Sequence, residues 1–153
     1  MHMKALMHQN LGLMHYDLAK SFSNSDANID RDASQQSTNN SSNRGINSII
    51  SGDEYSMAHL HQSYDHLMSS VALFDEYLLN STESSILMEA SHSMQLWAGV
   101  ACTMGRYKSG MRLWDRAVSH AYRCLQGIDQ GVRYDNLAAV LYNAGIYAVD
   151  DGA

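Results

Sequence analysis

The stretch MQLWAGVACTMGRYKSGMRLWDRA, residues 94–117, carries large and small residues at helical spacing on both sides of one glycine. Small residues allow two helices to approach closely, and large residues fill the space between neighbouring hairpins. The small residues are Ala98, Gly110 and Ala117, and the large ones are Trp97, Tyr107 and Trp114. The pattern predicts a hairpin of two packed helices whose turn is at Gly105.

Apolar residues keep helical spacing along most of the 153-residue chain, and no proline interrupts them. Helices are predicted over about residues 3–20, 52–78, 84–104, 107–125 and 132–149. The first helix is expected to bury Leu6, Leu11, Met14 and Leu18. Methionines expected to fill the core are Met7, Met14, Met68, Met94 and Met104. The predicted fold class is all-α, with five antiparallel helices joined mostly by short turns.

Residues 23–44, SNSDANIDRDASQQSTNNSSNR, contain no aromatic residue and are dominated by serine, asparagine, aspartate and glutamine. Such a composition cannot bury enough apolar surface to offset the entropy lost on ordering. One long disordered loop is therefore expected. The predicted organisation is a first helix over residues 1–21, a disordered Ser/Asn-rich insertion over 22–52, and the rest of the helical domain over 53–153.

The formal net charge is −6, and its two signs are separated along the chain. No lysine or arginine lies between Gly45 and Gly105, whereas Arg112, Arg116 and Arg123 line one side of the fourth predicted helix. Arg116 and His120 miss the Arg–His spacing usual in HEPN-like ribonucleases. The basic stripe is predicted to be solvated or to face the acidic second helix, and no nucleic-acid partner is expected.

The chain has no uninterrupted apolar run of about 18 residues, and polar residues are mixed into the apolar positions of the N-terminus. We expect a soluble, cytoplasmic protein without a membrane partner. Cys102 and Cys124 both fall inside predicted helices. This placement favours reduced thiols in an apolar interior over a disulfide or a zinc site.

The pattern at residues 94–117 resembles a tetratricopeptide (TPR) repeat, in which small and aromatic positions alternate around a turn glycine. The stretches HQNLGLMHYDLA (8–19) and LYNAGIYAVDDG (141–152) resemble first helices of the same repeat. The resemblance implies helical hairpins stacked into a TPR-like right-handed solenoid. Residues 133–149 also share a few features with the helical BRO1 domain, which is itself TPR-like at its core.

The TPR resemblance implies binding rather than catalysis, in a concave groove lined by the first helix of each repeat. The expected partner is a protein, through a peptide or a helix. By position within the repeat, the groove residues would be Gln9, Asn10, Tyr16, His92, Gln95, Tyr142, Asn143 and Tyr147. The cationic clamp with which some TPR proteins hold a chaperone's C-terminus is not matched at these positions.

Two alternative hypotheses remain open. A metal-binding or catalytic helical bundle could use Glu89 and His92, which form Glu-x-x-His, together with His59 and His61. A second Glu-x-x-His is absent, so no metal site, cofactor or enzymatic activity is predicted. The chain could also be a structural piece of a larger repeat protein, since its last repeat lacks a second helix. Because an unpaired fifth helix would leave an apolar face open, it is expected either to self-associate or to pack on the fourth.

Overall fold

The structure, a computed structural model, describes residues 1–33, 52–125 and 130–150, and every element in these ranges is an α-helix. The helices are α1 (His2–Ala33), α2 (Gly52–Leu78), α3 (Ser84–Thr103), α4 (Tyr107–Cys124) and α5 (Gln130–Asp150). The all-α prediction is confirmed, and the predicted bounds of the last four helices agree to within one or two residues.

The first helix is the exception, because α1 continues past its predicted end at Lys20 to Ala33. Residues 22–33, which the composition assigned to a disordered insertion, are therefore helical in their backbone. Neither proline nor glycine occurs between Lys20 and Ala33 to end the helix. The rest of the predicted insertion, residues 34–51, lies outside the described residues.

The turn between α3 and α4 is built around Gly105, as predicted. Gly105 has φ 77°, in the left-handed region that a residue without Cβ adopts without strain. Its backbone N–H donates to the Cys102 carbonyl at 2.9 Å, and the Arg106 N–H donates to the Ala101 carbonyl at 2.8 Å. This pair of bonds is the Schellman arrangement, which satisfies the last carbonyls of α3.

Consecutive helices pack on one another in chain order, and α3 additionally contacts α1 and α5. No other pair of helices has its backbones close together within the described ranges. The three odd-numbered helices therefore lie side by side, with α3 in the middle. The last helix packs on α4, where Leu137 and Val140 are buried, while Leu141, Tyr142 and Ile146 stay exposed.

The core forms where α2 and α3 meet their neighbours, and it contains Met94, as predicted. Leu67, Phe74 and Met94 are fully buried. Trp114 is also buried, whereas Tyr107, which was expected to fill space between helices, is exposed at the first position of α4. The prediction for the Tyr107 side chain was therefore wrong. The reason is that Tyr107 precedes the part of α4 that crosses α3.

The predicted inner face of α1 was right only in part, because Leu6 packs against the core and Leu11 is half-buried, whereas the other two residues are exposed. Met7 and Met14 are about half exposed, Leu18 is 37% exposed, and Met68 of α2 is 43% exposed. Besides Gln9, the residues that α1 buries are small, and they recur every seven positions as Ala5, Gly12 and Ala19. Small side chains allow the helix axes to approach, so the larger apolar residues on either side are turned outward.

Serines of α2 face these small residues at the same seven-residue interval and complete what we call the α1–α2 seam. Each serine hydroxyl donates a hydrogen bond to a backbone carbonyl of α1. The bonds are Ser56 to Ala19 at 2.9 Å, Ser63 to Gly12 at 2.7 Å, and Ser70 to Ala5 at 2.8 Å. The order of the partners shows that α1 and α2 are antiparallel.

The second hairpin repeats this device in the α3–α4 seam. Ser84, Ser91 and Ala98 of α3 face Cys124, Ala117 and Gly110 of α4, again in antiparallel order. The Ser91 hydroxyl donates to the Ala117 carbonyl at 3.0 Å. A Cβ at Gly110 would lie 2.4 Å from Cys102 Sγ and 3.1 Å from the Ala98 carbonyl oxygen. Both hairpins thus depend on small residues at fixed positions.

Candidate binding cleft

A cleft of about 250 Å³ crosses the side of the molecule where α1, α3 and α5 lie together. Its centre is on α3, with α1 to one side, α5 to the other, and one tryptophan from α4 at the base. The lining residues are Tyr16, Lys20, His92, Gln95, Leu96, Gly99, Trp114 and Asn143. The cleft therefore combines an apolar base with amide, imidazole, phenol and ammonium groups.

Four of the eight residues assigned to a binding groove from the sequence lie in this cleft: Tyr16, His92, Gln95 and Asn143. Three of the other four lie elsewhere. Gln9 is buried, Asn10 belongs to the outer surface of α1, and Tyr142 is 72% exposed on α5. The side chain of Tyr147 is outside the described part of the chain.

The buried amide of Gln9 fixes the orientation of His92 at the edge of the cleft. Gln9 Oε1 accepts a hydrogen bond from Ser93 Oγ at 2.7 Å, and this leaves Gln9 Nε2 to face His92 Nδ1 at 3.0 Å. Since an amide nitrogen only donates, His92 Nδ1 is the acceptor and the proton of the neutral ring is on Nε2. Gln9 thus fixes the orientation of the His92 ring and leaves its Nε2–H as a hydrogen-bond donor.

On the α1 side, Lys20 and Tyr16 form a single unit. The Lys20 ammonium lies 4.0 Å from the centre of the Tyr16 ring, at the distance of a cation–π contact. The Tyr16 hydroxyl lies 3.4 Å from Thr103 Oγ1, which links α1 to the end of α3. Lys20 is the one lysine or arginine among the described residues that line the cleft, and it supplies the positive charge there.

The sequence assignment missed four lining residues: Lys20, Leu96, Gly99 and Trp114. Lys20 follows Tyr16 by four positions, and Gly99 follows Gln95 by four, so both continue a helical stripe already assigned. Extending each stripe by one turn would have found them. Trp114 had been assigned to the core, where it is indeed buried.

Within the basic stripe of α4, Arg116 faces α2 as predicted, while Arg112 and Arg123 are exposed to solvent, the other predicted placement. Arg116 Nη2 lies 2.6 Å from Asp75 Oδ2, and both side chains are more than two-fifths exposed. The Arg106 guanidinium lies 4.8 Å from the centre of the Tyr64 ring, also on α2. These two contacts join α4 to α2. One turn after Arg116 on the same helix lies His120, and burial is the main cause that lowers its pKa.

The residues of the metal-bundle alternative are directed to different partners. His92 bonds Gln9, His59 Nδ1 lies 2.9 Å from His15 Nδ1, and His61 is exposed. Within the described ranges, no three or more His, Cys, Asp or Glu side chains are grouped so that they could hold a metal ion. Glu89 and His92 therefore lack the additional ligands that a carboxylate-bridged centre requires.

None of the described helices has the length and apolar character needed to cross a lipid bilayer. Comparison with known proteins found no matching family model, no matching curated protein and no matching solved structure.

Proposed function

We propose that the protein is a TPR-like helical-repeat scaffold that binds an extended segment of a partner protein in the cleft across α1, α3 and α5. The observation that carries the proposal is the convergence of Tyr16, His92, Gln95 and Asn143, from three helices, on one cleft. These residues were assigned from repeat position alone, without knowledge of which helices are neighbours.

The packing of the chain supports the repeat part of the proposal. Two antiparallel hairpins use the same small-residue seam, and each helix packs almost entirely on its neighbours in chain order. Repeat proteins have this property, because each unit contacts only the adjacent ones. A right-handed solenoid is the arrangement we propose for the stacked hairpins. The two buried thiols, Cys102 and Cys124, fit the proposed cytoplasmic location.

The chemistry of the cleft suits an extended peptide. The amides of Gln95 and Asn143 each offer a donor and an acceptor, as the backbone of a peptide does, and His92 Nε2–H adds a donor. Leu96 and Trp114 supply an apolar base for a side chain of the partner. A cleft of about 250 Å³ is slightly smaller than the usual pocket for a drug-sized ligand. It therefore holds one or two side chains of a longer segment.

The proposal is tested with peptides selected from a random library on the immobilised protein. Replacing Gln95 or Asn143 by alanine removes hydrogen bonds worth about 1 kcal/mol each, which corresponds to roughly 5-fold weaker binding. The matched control is Ser119→Ala, at an exposed position of α4 outside the cleft lining. Fluorescence anisotropy with a labelled peptide measures the affinities. Equal affinity of all three variants would exclude the cleft as the binding site.

A further inference from the structure

Four histidines meet in two pairs across the interface of α1 and α2. His15 Nδ1 lies 2.9 Å from His59 Nδ1, and His8 Nδ1 lies 3.1 Å from His66 Nδ1. On each helix the two histidines are seven residues apart, the same interval as in the α1–α2 seam. The rings of His15 and His66 stack at 5.6 Å, so the two pairs form one continuous row.

Hydrogen bonds join the two helices that carry these rings. The hydrogen bonds of Ser63 to Gly12 and of Ser70 to Ala5 lie on the same two helices, within a few residues of the histidines. Phe22 stacks on His59 at 5.6 Å and closes the end of the row. All four histidines are partly exposed, so an ion from solvent can reach them. Ligands set on packed helices need little reorganisation to bind.

The spacing within each pair matches the bite of a metal ion. Imidazole nitrogens bind transition ions at about 2.0–2.1 Å. Two such nitrogens are then about 2.8–3.0 Å apart when they bind at right angles, and about 3.3–3.4 Å apart in a tetrahedron. The observed separations of 2.9 and 3.1 Å fall at the right-angled end of this range. Square-planar or tetragonal coordination by nitrogen is typical of Cu²⁺ and Ni²⁺.

We propose that each histidine pair is a two-ligand site for a divalent transition ion, with Cu²⁺ preferred over Ni²⁺ and Zn²⁺, and with water in the remaining positions. In the ion-free protein, the Nδ1–H of one ring in each pair donates a hydrogen bond to Nδ1 of the other ring. On metal binding the donor ring exchanges that proton through solvent onto its own Nε2, so both rings stay neutral and both Nδ1 atoms bind the ion.

The two pairs cross-link α1 to α2, the helices that are joined in sequence through residues 34–51. An ion that binds the folded state but not the unfolded state stabilises the folded protein, and the stabilisation grows with the concentration of the ion. The inference is independent of the proposed peptide cleft, because none of the four histidines lines that cleft.

Copper titration of the full chain, purified without a polyhistidine tag, tests the proposal. Isothermal calorimetry is expected to give two ions per chain. The double variant His15→Gln/His59→Gln and the double variant His8→Gln/His66→Gln are each expected to lose one of them. His61→Gln, an exposed histidine of α2 outside the row, is the matched control and is expected to keep both. Loss of an ion in the control, or two ions in either double variant, would overturn the assignment.

A second readout on the unaltered protein does not depend on how the variants fold. The electron paramagnetic resonance spectrum of the Cu²⁺-loaded chain is expected to show coupling to two imidazole nitrogens per ion. The zinc-loaded chain is expected to shift the ring resonances of these four histidines and to leave those of His61 and His92 in place. Coupling to a single nitrogen, or ring shifts at His61, would refute the two-ligand sites.

Discussion

Replacing Gly110 by alanine tests the small-residue packing that holds the second hairpin together. The new Cβ would lie 2.4 Å from Cys102 Sγ and 3.1 Å from the Ala98 carbonyl oxygen. Real Cβ atoms essentially never come within 3.0 Å of a non-bonded heavy atom from another part of the protein. Cys102 is itself buried, and the Ala98 carbonyl is backbone that cannot rotate away, so α4 is expected to move away from α3.

Two effects of opposite sign determine the size of the change. Overpacking a core by a methyl group costs about 1–3 kcal/mol. Alanine gains about 1 kcal/mol over glycine inside a helix. The net result at Gly110 is a loss of about 1 kcal/mol in the free energy of unfolding, which for a chain of this size lowers Tm by roughly 3 °C.

Gly145→Ala is the matched control, since a Cβ at Gly145 of α5 meets nothing within 4 Å. There only the helix preference operates, and a gain of about 0.5–1 kcal/mol is expected. The two variants therefore differ by about 1–3 kcal/mol in urea unfolding followed by circular dichroism. In a Cys102→Ala background the cost of Gly110→Ala should fall, because the closest atom is gone. If Gly110→Ala were as stabilising as Gly145→Ala, close packing of α3 on α4 would be refuted.

Three further predictions concern stability. Ser63→Ala should cost about 1 kcal/mol in urea unfolding, because it deletes a buried hydrogen bond to α1, whereas Ser69→Ala, whose exposed hydroxyl bonds within its own helix, should cost little; equal losses would contradict a special role for the seam. With chelator present, the free energy of unfolding of the wild type should fall as the pH drops below about 6.5. Burial and two neighbouring imidazoles lower the pKa of His15, so the unfolded chain takes up the proton first. His15→Gln should flatten that pH profile, and an unchanged profile would count against this role of His15. Arg116→Ala should cost less than about 1 kcal/mol, since the bridge to Asp75 is largely exposed, and the loss should shrink in 1 M salt; a large, salt-independent loss would show that the bridge is more than a surface contact.

The parts of the fold that follow from residue size and hydropathy could be predicted from the sequence. The Gly105 turn followed from a glycine between two helical patterns, and the burial of Met94 from the helical spacing of large apolar residues. Most of the inner face of α1 could not be found in this way, because Ala5, Gly12 and Ala19 contribute little hydropathy. Their value is the close approach that they allow. A search for small residues at intervals of seven would have indicated it.

The candidate site was predictable where repeat position determines which way a side chain faces, as for His92 and Gln95. It was not predictable for Gln9, which the repeat places in the groove and the structure buries under His92. The histidine pairs were also hidden. Their members lie on either side of residues 34–51, and a shift of one residue between α1 and α2 would separate them.

The most direct test of the central claim, that the cleft across α1, α3 and α5 binds a partner segment, is site-specific photo-cross-linking. A benzophenone side chain is placed at Gln95 in one preparation and at Ser119, outside the cleft lining, in another, and each is irradiated with the same library-selected peptide. The account predicts a cross-linked product from position 95 and none above background from position 119. Equal yields at both positions, or a product from position 119 alone, would contradict it.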